Sequence, residues 1–574
     1  MDIGRIAEYA FQKTLYTSID LTADAPSIRS DRLVVPPGLL RALSKEAFRS
    51  LSFYLRRTHL KRLADALEDP GASENDRLVI EALLRNAVIA SEGSLPLCQD
   101  TGTAMVMAWK DESVRTGADD QEELSKGMVD GYTRYNLRSS QTGAASFFGE
   151  YDTLDNSPAQ IHLEASKDSR DGPSYRFLFV AKGGGSANKT SLFQMSKTLL
   201  EEAPFENFLR EKIAALGTAA CPPYRLAVVV GGTSPEENLL TLKLATTELL
   251  DGAESFQRST QATAAHPRAW LHRDGEWEER LMRIARESGL GAQFGGVHLA
   301  LDARVIRLPR HAGSCPVSIG VSCSAHRNLL AVVDARGVRL EALEEKPLDF
   351  LAEQGGRSAK LAEAIIEAGK KKSRKSTAGA PAPTDKGIPR IDLDRPMQDI
   401  LGQLDGITVG SRMLLSGRLL VARDAAHLAW HALIAQGKPL PPYLAEHPIY
   451  YAGPAATPPG KVIGSFGPTT AQRMDGYAQE LMSRGVALVT LAKGNRAQTW
   501  TDGCKAYGGF YLGTIGGAAA LIAEENITES EILDYPELGM EAVRRIRVRD
   551  LIAIMITDNR GNDLYSLAAQ ARRL

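Results

Sequence analysis

Between Pro37 and Ile89 apolar residues recur three and four apart, in Leu39, Leu40 and Leu43 and again in Leu60, Leu63 and Leu67. That spacing lines one face of a helix and predicts a helical entry region. Further along, the pattern changes to short unbroken apolar runs, Phe177 to Ala181 and Leu226 to Val230, each ending in glycines and followed by a helix-compatible segment. Such runs read as buried strands, and their alternation with helices predicts an α/β fold. The same alternation returns late in the chain, where Arg418 to Ala422, Gly485 to Leu491 and Ile552 to Thr557 read as short strands among helices and glycine-rich turns. No internal repeat is visible.

Between these stretches, Gly369 to Pro383 is basic, rich in Ser, Ala, Pro and Gly, and without periodicity. It reads as a solvated tether, because no basic domain surrounds it to make a polyanion-binding or nuclear-targeting patch. The expected organisation is a larger N-terminal α/β domain over 1–350, a partly flexible linker or insertion over 351–395, and a smaller C-terminal α/β domain over 396–574.

Composition narrows the classes. The chain has 574 residues, of which 68 are basic and 70 acidic, for a net charge of −2; no global field would draw it to nucleic acid or an anionic membrane, so any anion site must be local. With 43% hydrophobic and 24% charged residues it can bury a large core. The most apolar stretch, Tyr511 to Ala523, is too short to span a bilayer and is broken by Gly513, Gly516 and Gly517. The opening Met1-Asp2-Ile3-Gly4-Arg5 lacks the basic and apolar regions of a secretory signal. A reducing, cytoplasmic location is therefore expected, and five scattered cysteines do not suggest a disulfide framework.

Three of those cysteines lie among small and polar residues, in Leu97-Cys98-Gln99-Asp100-Thr101-Gly102-Thr103, Ala220-Cys221-Pro222-Pro223 and Val321-Ser322-Cys323-Ser324-Ala325. Each alone reads as a small buried hydrophobe; together they suit loop-borne ligands, and the absence of any Cys-x-x-Cys pair leaves both readings open. The tract Gly183-Gly184-Gly185-Ser186-Ala187-Asn188-Lys189-Thr190 follows a strand but has Asn188 where a phosphate loop needs glycine before Lys189. Its closely spaced N–H donors suit a small anion such as a carboxylate. Arg473 stands four residues after Thr469, the spacing of one helix face. Lys493 follows an apolar strand directly, at the end where open α/β sheets bind ligands.

In order along the chain, these segments resemble the class I, iron–sulfur-dependent fumarate hydratases, a family shared with L-tartrate dehydratases and mesaconate hydratases. The likeness runs from about Val35 to Asp563. It passes through the Cys98 segment, Asn136-Leu137-Arg138, the Gly183 tract, Gly217-Thr218-Ala219-Ala220-Cys221-Pro222-Pro223, the Cys323 segment, His447-Pro448-Ile449-Tyr450-Tyr451-Ala452-Gly453-Pro454, Gly467-Pro468-Thr469-Thr470 and Leu491-Ala492-Lys493-Gly494-Asn495-Arg496. It departs at Ser139 to Ala145, where relatives carry a tyrosine and then an Ala-Pro pair, and at the Lys370 to Pro383 tract.

The resemblance implies reversible hydration of fumarate to L-malate. It implies a 4Fe-4S cluster held by Cys98, Cys221 and Cys323 in the N-terminal domain, with one iron left free of protein thiolate as a Lewis acid. Cys315 and Cys504 are then structural. Substrate contacts fall on Gln99, Asp100, Arg138, Gly184, Gly185, Arg423, Thr469, Arg473 and Lys493. Thr469 and Asp100 are the implied proton-transfer pair, Thr469 serving the carbon-bound proton and Asp100 the hydroxyl. With the cysteines before the tether and the later cations after it, the active site is expected between the two domains of a homodimeric enzyme. Tartrate or mesaconate is the alternative substrate, and an iron–sulfur redox or iron sensor the alternative of another class.

Overall fold

The computed structural model describes residues 3–21, 24–166, 172–253, 271–374 and 387–570. The predicted helical entry is three helices, Leu39–Phe53, Arg57–Glu68 and Glu74–Ala90. The last begins where Ser73 accepts the Asp76 N–H and Asp76 accepts the Ser73 N–H, a reciprocal cap that satisfies two otherwise orphaned donors. Asp76 also accepts the N–H groups of Ala292 at 2.7 Å and Val297 at 2.9 Å, tying a distant loop to this helix.

The N-terminal half holds two mixed sheets. The first runs, in spatial order, 16–19, 337–341, 328–334, 175–182, 103–111 and 160–166; the second runs 191–195, 315–322, 224–232, 300–310 and 272–273. The expected strands at Phe177 and Leu226 lie at or near their centres. One core joins the sheets, with Met105, Met107 and Leu178 of the first and Ala227, Val229 and Ile306 of the second. Helix Pro235–Ala245 adds Leu242 and Leu244 to that core. Helices Leu39–Phe53 and Asp120–Arg134 share a second core with the first sheet, and helices Glu202–Leu216 and Gly275–Glu287 a third with the second sheet. Alternate residues of each strand thus meet two different cores, which is why these strands read as continuous apolar runs.

In the C-terminal half, strands Arg412–Val421, Ile449–Tyr450, Val489–Ala492 and Phe510–Gly513 lie parallel in that order. Strand Val543–Thr557 pairs antiparallel with both the last and the first of them, so the five close on themselves. Strand Arg390–Asp392 adds to the first of them, and Ile527–Asp534 to the long closing strand. Closure removes open edges and directs the carboxyl ends of four parallel strands the same way.

Two regions differ from expectation. The stretch 351–395 is not one continuous tether. Gly356–Arg374 is a helix with Ser358 and Ala362 buried, and Arg390–Asp392 already belongs to the C-terminal sheet; residues 375–386 lie outside the described residues. The helix-like segment after the glycine tract is one turn, Gly184–Ala187, followed by strand Ser191–Met195. Three successive glycines make a poor helix nucleus, and the β-branched Thr190 favours the extended chain that follows.

The halves are not independent blocks. Helices Arg57–Glu68 and Glu74–Ala90 share a core with the C-terminal strands. Asn86 donates to the Leu97 carbonyl at 2.9 Å and accepts the Ala520 and Leu521 N–H groups at 2.8 and 3.1 Å. The loop carrying Cys98 is thereby held to the short helix Ala519–Leu521 of the C-terminal half.

Candidate active site

Three loops of the N-terminal half bring the singled-out cysteines into one neighbourhood. Cys98 and Cys221 are buried and Cys323 half-buried, and all are free thiols. The Cys98 loop is anchored by the Leu97 N–H to Ser52 at 2.9 Å and by the Ser465 hydroxyl to the Pro96 carbonyl at 2.5 Å. Cys221 sits in the left-handed region, at φ +60°, and its carbonyl accepts the Ser324 N–H at 3.1 Å, joining its loop to that of Cys323. Burial, opposed by Arg327, pushes the Cys98 thiol up to about 12; burial raises Cys221 as well, against Lys493. A coordinated metal would take these groups as thiolates. Among the described residues no three His, Cys, Asp or Glu side chains converge tightly enough for a single metal ion.

The C-terminal half supplies the cations. Lys493 follows strand Val489–Ala492 directly, as its sequence position predicts, and its Nζ lies 2.7 Å from Cys221 Sγ. Nothing larger than glycine fits beneath that contact, because a Cβ at Gly516 would collide with Cys221 Sγ and come within 2.9 Å of Lys493 Cδ. Gln293 fixes Gly516 from both sides, accepting its N–H at 2.8 Å and donating to its carbonyl at 2.9 Å, while also donating to the Pro222 carbonyl at 3.0 Å. Gln99 crosses in the other direction, donating to the Pro468 carbonyl at 3.2 Å.

Asp100 is a half-buried carboxylate whose Oδ2 accepts the Gly184 N–H at 2.7 Å. Burial alone would raise its pKa, but Arg138, Arg327, the Gly184 N–H and Lys493 together hold it below the usual carboxylate range. Thr101 joins Asp100 to Arg138, since its hydroxyl donates to the Arg138 carbonyl at 2.8 Å and accepts the Arg138 N–H at 2.9 Å. Gly185 approaches both the Cys221 loop and Lys493: a Cβ there would stand 3.5 Å from Ala220 Cα and 3.8 Å from Lys493 Nζ.

Arg423 lies just beyond strand Arg412–Val421, 3% exposed, donating to the Met540 carbonyl at 3.0 Å and 3.2 Å from Glu541. Burial and the like charges of Arg138 and Arg473 push it down to about 9, with Glu541 opposing. The Nε atoms of Arg138 and Arg423 are buried without acceptors. Arginines from both halves thus place like charges near one another, which a bound anion would neutralise. Arg473 donates to Thr469 Oγ1 at 3.3 Å, and the Lys493 N–H to the Thr469 carbonyl at 3.2 Å. Arg473 is also half-exposed and paired with Asp424 at 2.5 Å.

The site residues named from sequence therefore form three linked groups: the cysteines with Lys493 and Gln99, Asp100 with Gly184 and Arg138, and Thr469 with Arg473 and Arg423. Cys315 lies instead within strand Cys315–Ser322 and Cys504 within helix Gln498–Tyr507, both in apolar cores. Sequence reasoning missed Arg327, Gln293 and Glu541. The only hint at Arg327 is its place four residues after Cys323; no local pattern marks the other two.

A family model described as fumarate hydratase (fumerase) matches residues 41–332, and one described as fumarase C-terminus matches 346–568. The anaerobic class I fumarate hydratase of Escherichia coli strain K12 is 47% identical over 533 residues, covering 93% of this chain and 90% of the relative. The chain belongs to the class I fumarate hydratase family. Members extend beyond bacteria: fumarate hydratase 2 of Leishmania major is 46% identical over 534 residues, 93% of this chain and 88% of the relative. A putative L(+)-tartrate dehydratase alpha subunit from Methanocaldococcus jannaschii is 28% identical over 304 residues, half of this chain and 94% of the relative. As a class I fumarate hydratase family member the chain is a hydro-lyase. Among its described residues no helix is long and apolar enough to cross a membrane.

Proposed function

We propose that the protein interconverts fumarate and L-malate, with a 4Fe-4S cluster held by Cys98, Cys221 and Cys323 and the diacid bound between the two halves. The observation that carries this reading is the contact of Lys493 with Cys221, which sets a cation of the C-terminal half against the cysteine loops of the N-terminal half. The donor set suits such a cluster. Cys98 and Cys221 are buried and Cys323 half-buried, and the charges of Cys221 and Cys323 both bear on Cys98. Lys493 stands ready to balance their charge. When bound, the cluster supplies a Lewis-acidic iron at the reacting end of the diacid.

The chain's own groups account for the rest. Arg138 and Arg423 hold carboxylate oxygens through charge-assisted hydrogen bonds, and their unpartnered Nε–H groups give the diacid donors that no protein atom occupies. Asp100, kept ionised by its neighbours, takes the proton released as water oxygen adds to one alkene carbon. The hydroxyl of Thr469 delivers a proton to the other carbon. A threonine is a weak acid, and the Arg473 N–H donated to its Oγ1 stabilises the charge left behind. In the reverse direction Thr469 removes the carbon-bound proton of malate, and Asp100 returns its proton to the departing oxygen.

The test is fumarate hydration, followed through loss of the enoate absorbance, by the full chain purified without oxygen and loaded with iron and sulfide. Cys98→Ser, Cys221→Ser and Cys323→Ser are expected to lose iron and activity together, and Cys504→Ser to keep both. A cluster retained in Cys323→Ser would show the ligand set to be wrong. A fully loaded protein that turns over tartrate or mesaconate but not fumarate would reassign the substrate.

A further inference from the structure

Arg327 moves no proton in the steps above, yet it is buried among the groups that carry them and helps to hold Asp100 ionised. It is 4% exposed and ends the short loop that leaves strand Cys315–Ser322 through Cys323. Its carbonyl accepts the Ala181 N–H at 3.0 Å, pinning that loop to the strand that leads into the glycine tract. Its guanidinium and the Asp100 carboxylate flank one glycine: a Cβ at Gly183 would stand 3.4 Å from Arg327 Nη2 and 2.9 Å from Asp100 Oδ2. With Lys182, Ser186, Ser322 and Cys323 it lines a small cavity of about 10 Å³, room for about one water. Its Nε and Nη1 have no acceptor.

A permanent charge buried with unused donors is costly unless negative charge faces it. The ionisable groups that bear on Arg327 are Cys98, Cys323, Asp100 and Tyr132. Cys221 already has its cation in Lys493, at 2.7 Å. Arg327 brings a permanent cation to the other two cysteines, beside the Lys182 ammonium that lines the same cavity, and it also helps to hold Asp100 ionised.

We propose that Arg327 is a positioning residue that balances the charge of the Cys98 and Cys323 thiolates, raising the reduction potential of the bound cluster and slowing its loss of iron. The inference rests on the cluster reading above. Positive charge and N–H donors near the sulfurs favour the more reduced, more negative state, so their removal must lower the potential.

The experiment is a redox titration of the anaerobically loaded full chain, read by the electron paramagnetic resonance of the reduced cluster, with iron content followed during exposure to air. Arg327→Met is expected to shift the one-electron equilibrium at least tenfold toward the oxidised state, about 59 mV lower, and to lose iron faster than wild type. Arg327→Lys, which keeps the charge, should recover more than half of that shift. Arg327→Met loaded to wild-type iron content with an unchanged potential overturns the inference. Should Arg327→Met hold no cluster, Arg327→Lys decides: a wild-type potential upholds the charge role, and failure to load or a shift of tenfold or more overturns it. A wild-type chain that holds no cluster at all removes the reading beneath the inference, a result distinct from either.

Discussion

Gly516→Ala adds a single methyl group beneath the contact that joins the halves. The new Cβ would collide with Cys221 Sγ and approach Lys493 Cδ to 2.9 Å. The backbone has little freedom to retreat, because Gln293 grips Gly516 through its N–H at 2.8 Å and its carbonyl at 2.9 Å. Strain must therefore pass to Cys221 and Lys493. Overpacking of this kind costs about 1–3 kcal/mol. Charged to the equilibrium between a seated and a displaced Cys221, that shifts the ratio about 5- to 160-fold toward the displaced sulfur. Fumarate hydration by the loaded chain should fall, by up to about 160-fold, with matching loss of iron. Gly476→Ala is the control, since a Cβ there meets nothing within 4 Å and the residue lies in helix Asp475–Ser483. It should leave activity unchanged and stabilise by about 0.5–1 kcal/mol. A Gly516→Ala protein with wild-type iron content and rate would refute the packing argument.

Asp100→Asn keeps an acceptor for the Gly184 N–H but no base, so kcat should fall by about 10²- to 10⁴-fold at unchanged iron content; a kcat within a few-fold of wild type removes Asp100 from proton transfer. Arg423→Met deletes charge-assisted bonds of about 1.5–3 kcal/mol, so KM for fumarate should rise by about 13- to 160-fold with kcat little changed; an unchanged KM would place the carboxylate elsewhere. Burial, outweighing the hydrogen bond to the Arg423 carbonyl, pushes the His427 imidazole down to about 4. The unfolded chain thus takes up a proton near pH 6.5 that the folded chain refuses until about pH 4. Stability from this group is complete above pH 6.5 and is lost at about 1.4 kcal/mol per pH unit as pH falls through that window. Denaturant melts of His427→Gln should show a shallower acid slope; an identical slope means the titrating group is another.

Local pattern reached the element types well. Periods of three and four in Leu39 to Leu67 became helices, and the runs at Phe177, Leu226 and Ile552 became strands, because these segments bury apolar faces whose period the chain itself displays. The basic tract misled in part. Helix Gly356–Arg374 continues into its lysines because the buried Ser358 and Ala362 anchor the helix near its start, a tertiary fact that local composition does not record. The cysteine, arginine and lysine positions of the site were legible as ordered motifs, without their partners.

What the sequence by itself determined is the set of candidate reactive groups and the order in which loops present them: Cys98 to Thr103, Gly183 to Gly185, Cys221, Cys323, Thr469 and Lys493. Tertiary structure alone decided which of these meet. Lys493 reaches Cys221 across 272 positions of chain, and Gln99 reaches Pro468 across 369. Gln293, Glu541 and Arg327 carry no motif, since their roles arise from burial and from the charges facing them. Side-chain chemistry is a property of one residue, whereas desolvation and field depend on everything folded around it.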